Sequence, residues 1–238
     1  MQRLIILSFL LLSASLLAAQ TAFSLKKINA LQLPANIKFR GKLYEGWKWT
    51  DKLGENILVT SLVATYKDKL PDPETEEETY SAELYAFHFI KKDSVYQLLW
   101  KISDAVKGCF FDLSVEFIKG AIRITDLDKD GIAETTVQYK LACRSDVSPA
   151  QMKLILHEDS VKYALRGTMW VKASEKDVFT VTEQNVNLET LKEYKGGDDD
   201  WEKLYGRYQS ENDFKTAPSA FLIFVRRQWL RYAKESFE

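Results

Sequence analysis

Cysteine, histidine, proline and glycine are all scarce in this sequence: 2, 2, 5 and 10 of 238 residues. The two cysteines do not form a Cys-x-x-Cys pair, and neither histidine sits in a His-Glu-x-x-His zinc pattern. No Gly-rich loop of the phosphate-cradling kind is present. Glycine is too sparse for a collagen-like chain. An excess of one charge sign is missing as well. Lys plus Arg is 33 and Asp plus Glu is 34, a formal net charge of -1. A duplex nucleic-acid binder needs a basic surplus to displace counterions from phosphate, so nucleic acid is not an expected partner. Hydrophobic residues at 46% and charged residues at 28% exclude a disordered chain. Beyond the first residues there is no apolar run of membrane-spanning length.

Those first residues read as a secretory signal, residues 1–19. Arg3 supplies the positive start, residues 4–17 are an apolar run, and Ala18-Ala19 before Gln20 offers a cleavage point. The run is shorter than the ~20 residues a spanning helix needs. No cysteine lies at the cleavage point, which excludes a bacterial lipoprotein anchor. The expectation is an exported protein, periplasmic or at the cell surface or secreted, with no transmembrane segment after cleavage.

The remaining chain, residues 20–238, reads as a single mainly-β domain. From Ile37 the odd positions Ile37, Phe39, Leu43, Trp47 and Trp49 are apolar, and the intervening positions are largely basic. Alternation of period two predicts a strand with one wet face, interrupted near Glu45-Gly46 by a bulge. Asp51-Lys52-Leu53-Gly54 has turn chemistry, and residues 57–65 form a second strand. An acidic stretch, residues 67–79, reads as a loop. Residues 81–91 and 95–102 form a hairpin around Lys92-Asp93-Ser94. A second group follows. Phe111, Leu113, Val115 and Phe117 alternate with polar residues, and Lys119-Gly120 is expected to turn the chain into residues 121–125. Val137, Tyr139, Leu141 and Cys143 mark the next strand, and 152–157 with 161–166 close the group.

The two groups, residues 36–104 and 108–168, carry similar turns. Asp51-Lys52-Leu53-Gly54 parallels Asp128-Lys129-Asp130-Gly131, and Asp93-Ser94-Val95 parallels Asp159-Ser160-Val161. This suggests two antiparallel meander sheets. Two propeller-like blades cannot close a propeller, so a sandwich-like packing of the two is the better expectation. Residues 183–214 are polar and read as an irregular insertion with one short helix. Residues 216–236 read as a C-terminal α-helix, capped by Thr216, with Phe221, Val225, Trp229 and Tyr232 at helical spacing.

The most specific motif is Asp126-Leu127-Asp128-Lys129-Asp130-Gly131-Ile132-Ala133-Glu134. Carboxylates at Asp126, Asp128 and Asp130 can converge on a hard cation. Gly131 permits the turn that aims the Ile132 carbonyl at the same centre, and Glu134 can complete the oxygen shell. Such ligands favour calcium. A helix-flanked EF-hand would need an acidic residue at the twelfth position, which here is Val137. The alternative is an Asp-Gly turn that binds nothing. The loop offers no open position or base for catalysis, so its expected role is to pin the hairpin.

Cys109 and Cys143 stay open at this level. An even count in an exported protein favours a bridge. A plain meander with a reversal at Lys119-Gly120 would put them far beyond bonding distance, so a bridge requires a different strand arrangement. His88 and His157 have no accompanying nucleophile motif and read as structural. Trp47 and Trp49 share a strand face and read as core rather than as a sugar platform. Glu83, Asp112 and Glu116 are candidate paired carboxylates by strand position alone, against the alternative of a solvated face.

The Asp-rich loop resembles the Asp-x-Asp-x-Asp-Gly-x-x-Asp calcium loops of integrin-type β-propeller repeats, with Glu134 in place of the last Asp. Residues 124–167 also resemble a family of small exported bacterial proteins named for surface polysaccharide biosynthesis. The likeness is carried by the Asp-rich loop, Cys143-Arg144-Ser145-Asp146-Val147-Ser148-Pro149, Met152-Lys153-Leu154-Ile155 and Tyr163-Ala164-Leu165-Arg166-Gly167. Tyr80-Ser81-Ala82-Glu83-Leu84-Tyr85-Ala86 and Leu99-Trp100-Lys101-Ile102 extend it. The resemblance implies a role at the cell surface, with a polysaccharide or an envelope protein as partner, and brings no catalytic residues. The expectation is therefore a non-catalytic β-protein with a structural calcium site. A polysaccharide-processing enzyme using paired carboxylates and a surface adhesion or protein-interaction module are the alternatives.

Overall fold

The computed structural model describes residues 23–74, 76–172 and 174–235. The secretory segment expected at residues 1–19 lies outside them. The first sheet contains β1 (Lys26–Ile28), β2 (Lys42–Asp51), β3 (Gly54–Lys67), β4 (Tyr80–Lys92) and β5 (Val95–Cys109). Neighbours in sequence are antiparallel neighbours in space, in the order β1-β2-β3-β4-β5. Short turns join β2 to β3 and β4 to β5. Asp93 adopts a positive φ of 56° between β4 and β5, a conformation that Asp tolerates better than bulkier residues.

The strand expected from Ile37 begins only at Lys42, and β1 has no counterpart among the expected strands. The reason lies at a bulge. The β2–β3 register shifts between Leu43 and Glu45, leaving Tyr44 as an extra residue. An extra residue exchanges the two faces of a strand. Ile37, Phe39 and Leu43 therefore pack on the outer face of the first sheet with Ile57, Val59, Phe87 and Phe89. Tyr44, Trp47 and Trp49 point to the opposite, inner face. The run of odd apolar positions crosses from one face to the other.

The second sheet contains β6 (Asp112–Phe117), β7 (Arg123–Thr125), β8 (Glu134–Arg144), β9 (Gln151–Glu158) and β10 (Val161–Thr168). Its order is β10-β9-β8-β6, with β7 also on β8. Here the expected reversal at Lys119-Gly120 is wrong. β6 pairs with residues 139–144 of β8, and β7 pairs with residues 134–136, both antiparallel. They run in the same direction as one strand interrupted by an excursion. Ile118 remains tied to Gln138 by a 3.0 Å backbone bond, so the chain leaves β8 only briefly. This carries the Asp-rich loop to one end of β8 and Cys109 to the other. Cys109 and Cys143 are disulfide-bonded, with Cα atoms 5.8 Å apart. Apart from that interruption, the second sheet follows the strand order of β2 to β5.

The sheets face each other across a core that includes Trp49, Leu58, Leu84, Trp100 and Ile102 from the first, and Val115, Val137, Tyr139, Leu141 and Ile155 from the second. The far side of the second sheet buries Met152, Leu154, Leu156 and Leu165 under helix α1 (Ser219–Tyr232) and the tail that precedes it. Helix α1 presents Phe221, Val225 and Trp229 to that layer, all fully buried. It is shorter than the expected residues 216–236. Pro218, not Thr216, occupies its N-cap position. After Tyr232 the chain leaves the helix. The Trp170 amide bonds the Ala233 carbonyl, and the Glu235 amide bonds the Trp170 carbonyl. Ala233 is buried where Tyr232 was expected to be.

The polar segment at residues 183–214 holds three short 3-10 turns, Leu188–Thr190, Asp198–Leu204 and Asn212–Phe214. It shields the open edge of β10. Thr168 N bonds Arg207 O at 3.0 Å and Gln209 N bonds Arg166 O at 2.8 Å. A covered edge cannot template further strand pairing.

Candidate metal centre

The Asp-rich loop joins β7 to β8 at the seam between the sheets. Its conformation is built by its own carboxylates. Asp130 N donates to Asp128 Oδ1, Gly131 N to Asp126 Oδ1, and Ile132 N to Asp130 Oδ1 at 2.7 Å. Lys129 and Gly131 both have positive φ, 66° and 85°. At Gly131 this backbone conformation favours glycine, and a Cβ would also push the Lys52 side chain aside, 2.8 Å from its Cε.

The turn between β2 and β3 holds this loop in place. Lys52 N donates to Gly131 O at 3.0 Å. The Asp51 carboxylate accepts from Ala133 N at 3.1 Å, and from Trp49 Nε1, Leu53 N and Asn56 Nδ2, each at 2.9 Å. One carboxylate thus ties both sheets together. Asn56 Oδ1 in turn receives His88 Nε2 at 2.9 Å. His88 packs edge-on against Trp100, which stacks on His157 with ring centroids 4.0 Å apart. Burial pushes both histidines down to about 3, with Lys162 and His88 adding to the shift at His157. They are neutral at physiological pH and serve the core.

Two overlapping groups of carboxylates form at the loop. Asp126, Asp128 and Asp130 bring one oxygen each within 4.8 Å of one another, all half-buried. Asp128, Glu134 and Glu158 do the same. Asp128 is common to both. Glu134 is fully buried, and its carboxylate accepts from Thr125 Oγ1 and Leu127 N. It stands with Asp128 and Glu158 rather than with Asp126 and Asp130. Ile132 sits in the same turn, its amide bonded to Asp130.

Glu158 went unnoticed in the sequence. It ends β9 directly opposite Glu134, and only its place beside the Glu158-Asp159-Ser160 turn hinted at this neighbourhood. Its Oε1 is buried with no hydrogen-bond partner among the described residues. Burial raises Glu134 to about 7, with the charge of Asp128 adding to it. Burial and the charges of Asp128, Asp130, Asp159 and Asp126 raise Glu158 to about 7. Carboxylates crowded this closely raise one another's cost of ionisation, and a cation removes that cost. An all-oxygen donor set with an orphaned buried oxygen fits a metal ion, and the Asp126, Asp128 and Asp130 group can hold one.

The strand carboxylates do not form a second site. Burial raises Glu83, but hydrogen bonds from Lys107, Tyr85, Tyr66 and Arg40 outweigh it and hold the group far below the usual carboxylate range. Asp112 and Glu116 are exposed on β6. Trp49 is a core residue, and Trp47 packs against that core with its Nε1 on Glu45.

No protein-family model, curated protein or solved structure matches this chain. Among the described residues no helix is long and apolar enough to cross a membrane. The disulfide is compatible with an exported protein.

Proposed function

We propose that this chain is an exported, non-catalytic β-protein whose Asp-rich hairpin loop binds calcium as a structural clasp. The carrying observation is the convergence of Asp126, Asp128 and Asp130 beside the unpartnered Oε1 of Glu158. Calcium takes six to eight oxygen ligands in flexible geometry and is abundant outside the cell, which suits this donor set better than a small octahedral ion. Asp126, Asp128, Asp130 and the Ile132 carbonyl are the expected ligands, with Glu134 and Glu158 closing the shell. The bound ion would stiffen the β7–β8 loop against the β2–β3 turn.

The resemblance of residues 124–167 to surface polysaccharide biosynthesis proteins supports a role in polysaccharide assembly or binding at the cell surface. An enzymatic reading has less support. Glu83, the buried strand carboxylate, is locked as an anion by four donors and has no proton to give.

Titration calorimetry of the mature protein with calcium tests the clasp. Binding is expected, together with a raised melting temperature, and both should vanish in Asp128→Ala and Asp130→Ala. Wild-type protein that gives neither heat nor a melting shift overturns it.

A further inference from the structure

We propose that the cleft between the β8–β9 loop and the C-terminal tail binds an oligosaccharide, with Trp201 as the stacking platform. The inference rests on the surface-polysaccharide reading and gives it a place on the molecule.

The cleft has a volume of about 610 Å³ and lies on the side of the second sheet away from the Asp-rich loop. One wall is the connection from β8 to β9, with Asp146 and Val147. The other walls come from residues 170–171, 176–178 and 180–181, and from Trp201, Glu202, Tyr205 and Arg207. Large apolar side chains cluster here in contact with water: Val147 is 54% exposed, Val178 72% and Trp201 52%. Trp201 meets Tyr205 edge-on with centroids 5.4 Å apart, which fixes the indole. Among the described residues no hydrogen bond engages its N–H. Nothing in the fold requires an indole at this point, and leaving one in water forgoes the stabilisation its burial would give.

Polar groups surround these rings. Asp146, Asp177 and Glu202 line the cleft with Lys176 and Arg207, three acids against two bases. Arg207 donates to the backbone carbonyls of Asn185 at 2.8 Å and Lys203 at 2.9 Å. Among the described residues it has no ion-pair partner. These bonds use Nε and Nη1 to hold the guanidinium in place at the cleft wall and leave Nη2 as its remaining donor.

This combination selects the ligand class. Mixed signs summing to -1 favour neither a polyanion nor a polycation. An acyl chain needs walls closed to water, and here acidic and basic groups are interleaved with the rings. A pyranose ring offers an apolar C–H face for an indole and hydroxyls around its rim for Asp146, Glu202 and Arg207. Pockets of this kind pair a few aromatic surfaces with a small set of convergent polar groups.

The test is a glycan array probed with the full mature protein, with affinities for the hits measured by quenching of tryptophan fluorescence. Wild type should bind at least one oligosaccharide. Trp201→Ala should weaken that binding about tenfold or more, the loss expected for a central aromatic anchor, and Glu202→Gln should weaken it less. Both side chains are exposed, so the melting temperature should stay unchanged. Wild-type binding that survives both substitutions overturns the cleft assignment and leaves the polysaccharide reading standing. A wild-type protein that binds no glycan on the array overturns both.

Discussion

Cys109, the last residue of β5, is bonded to Cys143, next to last in β8, with Cα atoms 5.8 Å apart. The bond joins the first sheet to the second where the chain itself crosses between them. It lies at the opposite end of β8 from Glu134 and the Asp-rich loop.

Removing this bond should cost stability through the unfolded chain. Its cysteines are 34 residues apart in sequence. Replacing both with serine is expected to destabilise the protein by about 3–4 kcal/mol on the loop-entropy account. Urea denaturation of the double variant, beside wild type with and without reductant, measures this. Equal midpoints for all three would contradict it.

Asp51 should be among the most sensitive polar positions. Its carboxylate serves four donors, one of them from the other sheet. Hydrogen bonds to a charged group are worth about 1.5–3 kcal/mol each and do not simply add. Asp51→Ala is expected to cost about 3 kcal/mol or more and to speed amide exchange at Ala133. Chemical denaturation and hydrogen exchange report these separately.

Gly167 should tolerate no side chain. A Cβ there would lie 2.0 Å from Arg207 O and 2.5 Å from Tyr208 Cα. These are backbone atoms, so the tail would have to move off the β10 edge. Gly167→Ala is expected to cost about 1–3 kcal/mol, the range for overpacking. Limited proteolysis should then cut within residues 183–210 more readily than in wild type. An unchanged cleavage pattern would show that the tail is held elsewhere.

Glu235 makes stability depend on acid. Burial raises its carboxyl, but hydrogen bonds from Arg144 and the Ala150 amide, with the charge of Lys140, hold it below the ordinary carboxylate value. A carboxylate lowered on folding stabilises the native state above its unfolded pKa of about 4.3. That contribution fades as pH falls through the folded value. Glu235→Gln should therefore lose about 3 kcal/mol near pH 7, where it removes the buried carboxylate that Arg144 and Lys140 face. The gap to wild type should close in strong acid. Denaturation curves at a series of pH values check the sign, and a gap that widens in acid would refute it.

Much of the fold is written in period-two alternation. Strands β3 to β5 and β8 to β10 coincide with apolar runs bounded by polar, Asp-bearing turns or loops, so their existence and order were legible. Two local events were legible only in part. The break in alternation at Glu45-Gly46 pointed to a bulge, which the structure places one residue earlier, at Tyr44, but the change of face that it causes was not foreseen. Lys119-Gly120 has the chemistry of a chain reversal yet makes only an excursion, because β8 supplies partners on both sides of it. That second event decided whether the cysteines could meet. At the loop, the three aspartates were legible because they are close in sequence. Glu158 was not, since it reaches them only through the β8–β9 register.

The sandwich is fastened unequally. At one end a covalent bond holds the two sheets. Nine residues along β8, roughly 30 Å at strand spacing, the Asp51 and Lys52 hydrogen bonds join the sheets without a covalent link. Opening between the sheets is therefore expected at the end away from the disulfide, as a pair of tongs opens away from its rivet. The layer that such opening would wet first is the Trp49–His88–Trp100–His157 ring cluster, where His88 Nδ1, Trp100 Nε1 and His157 Nδ1 have no hydrogen-bond partner among the described residues.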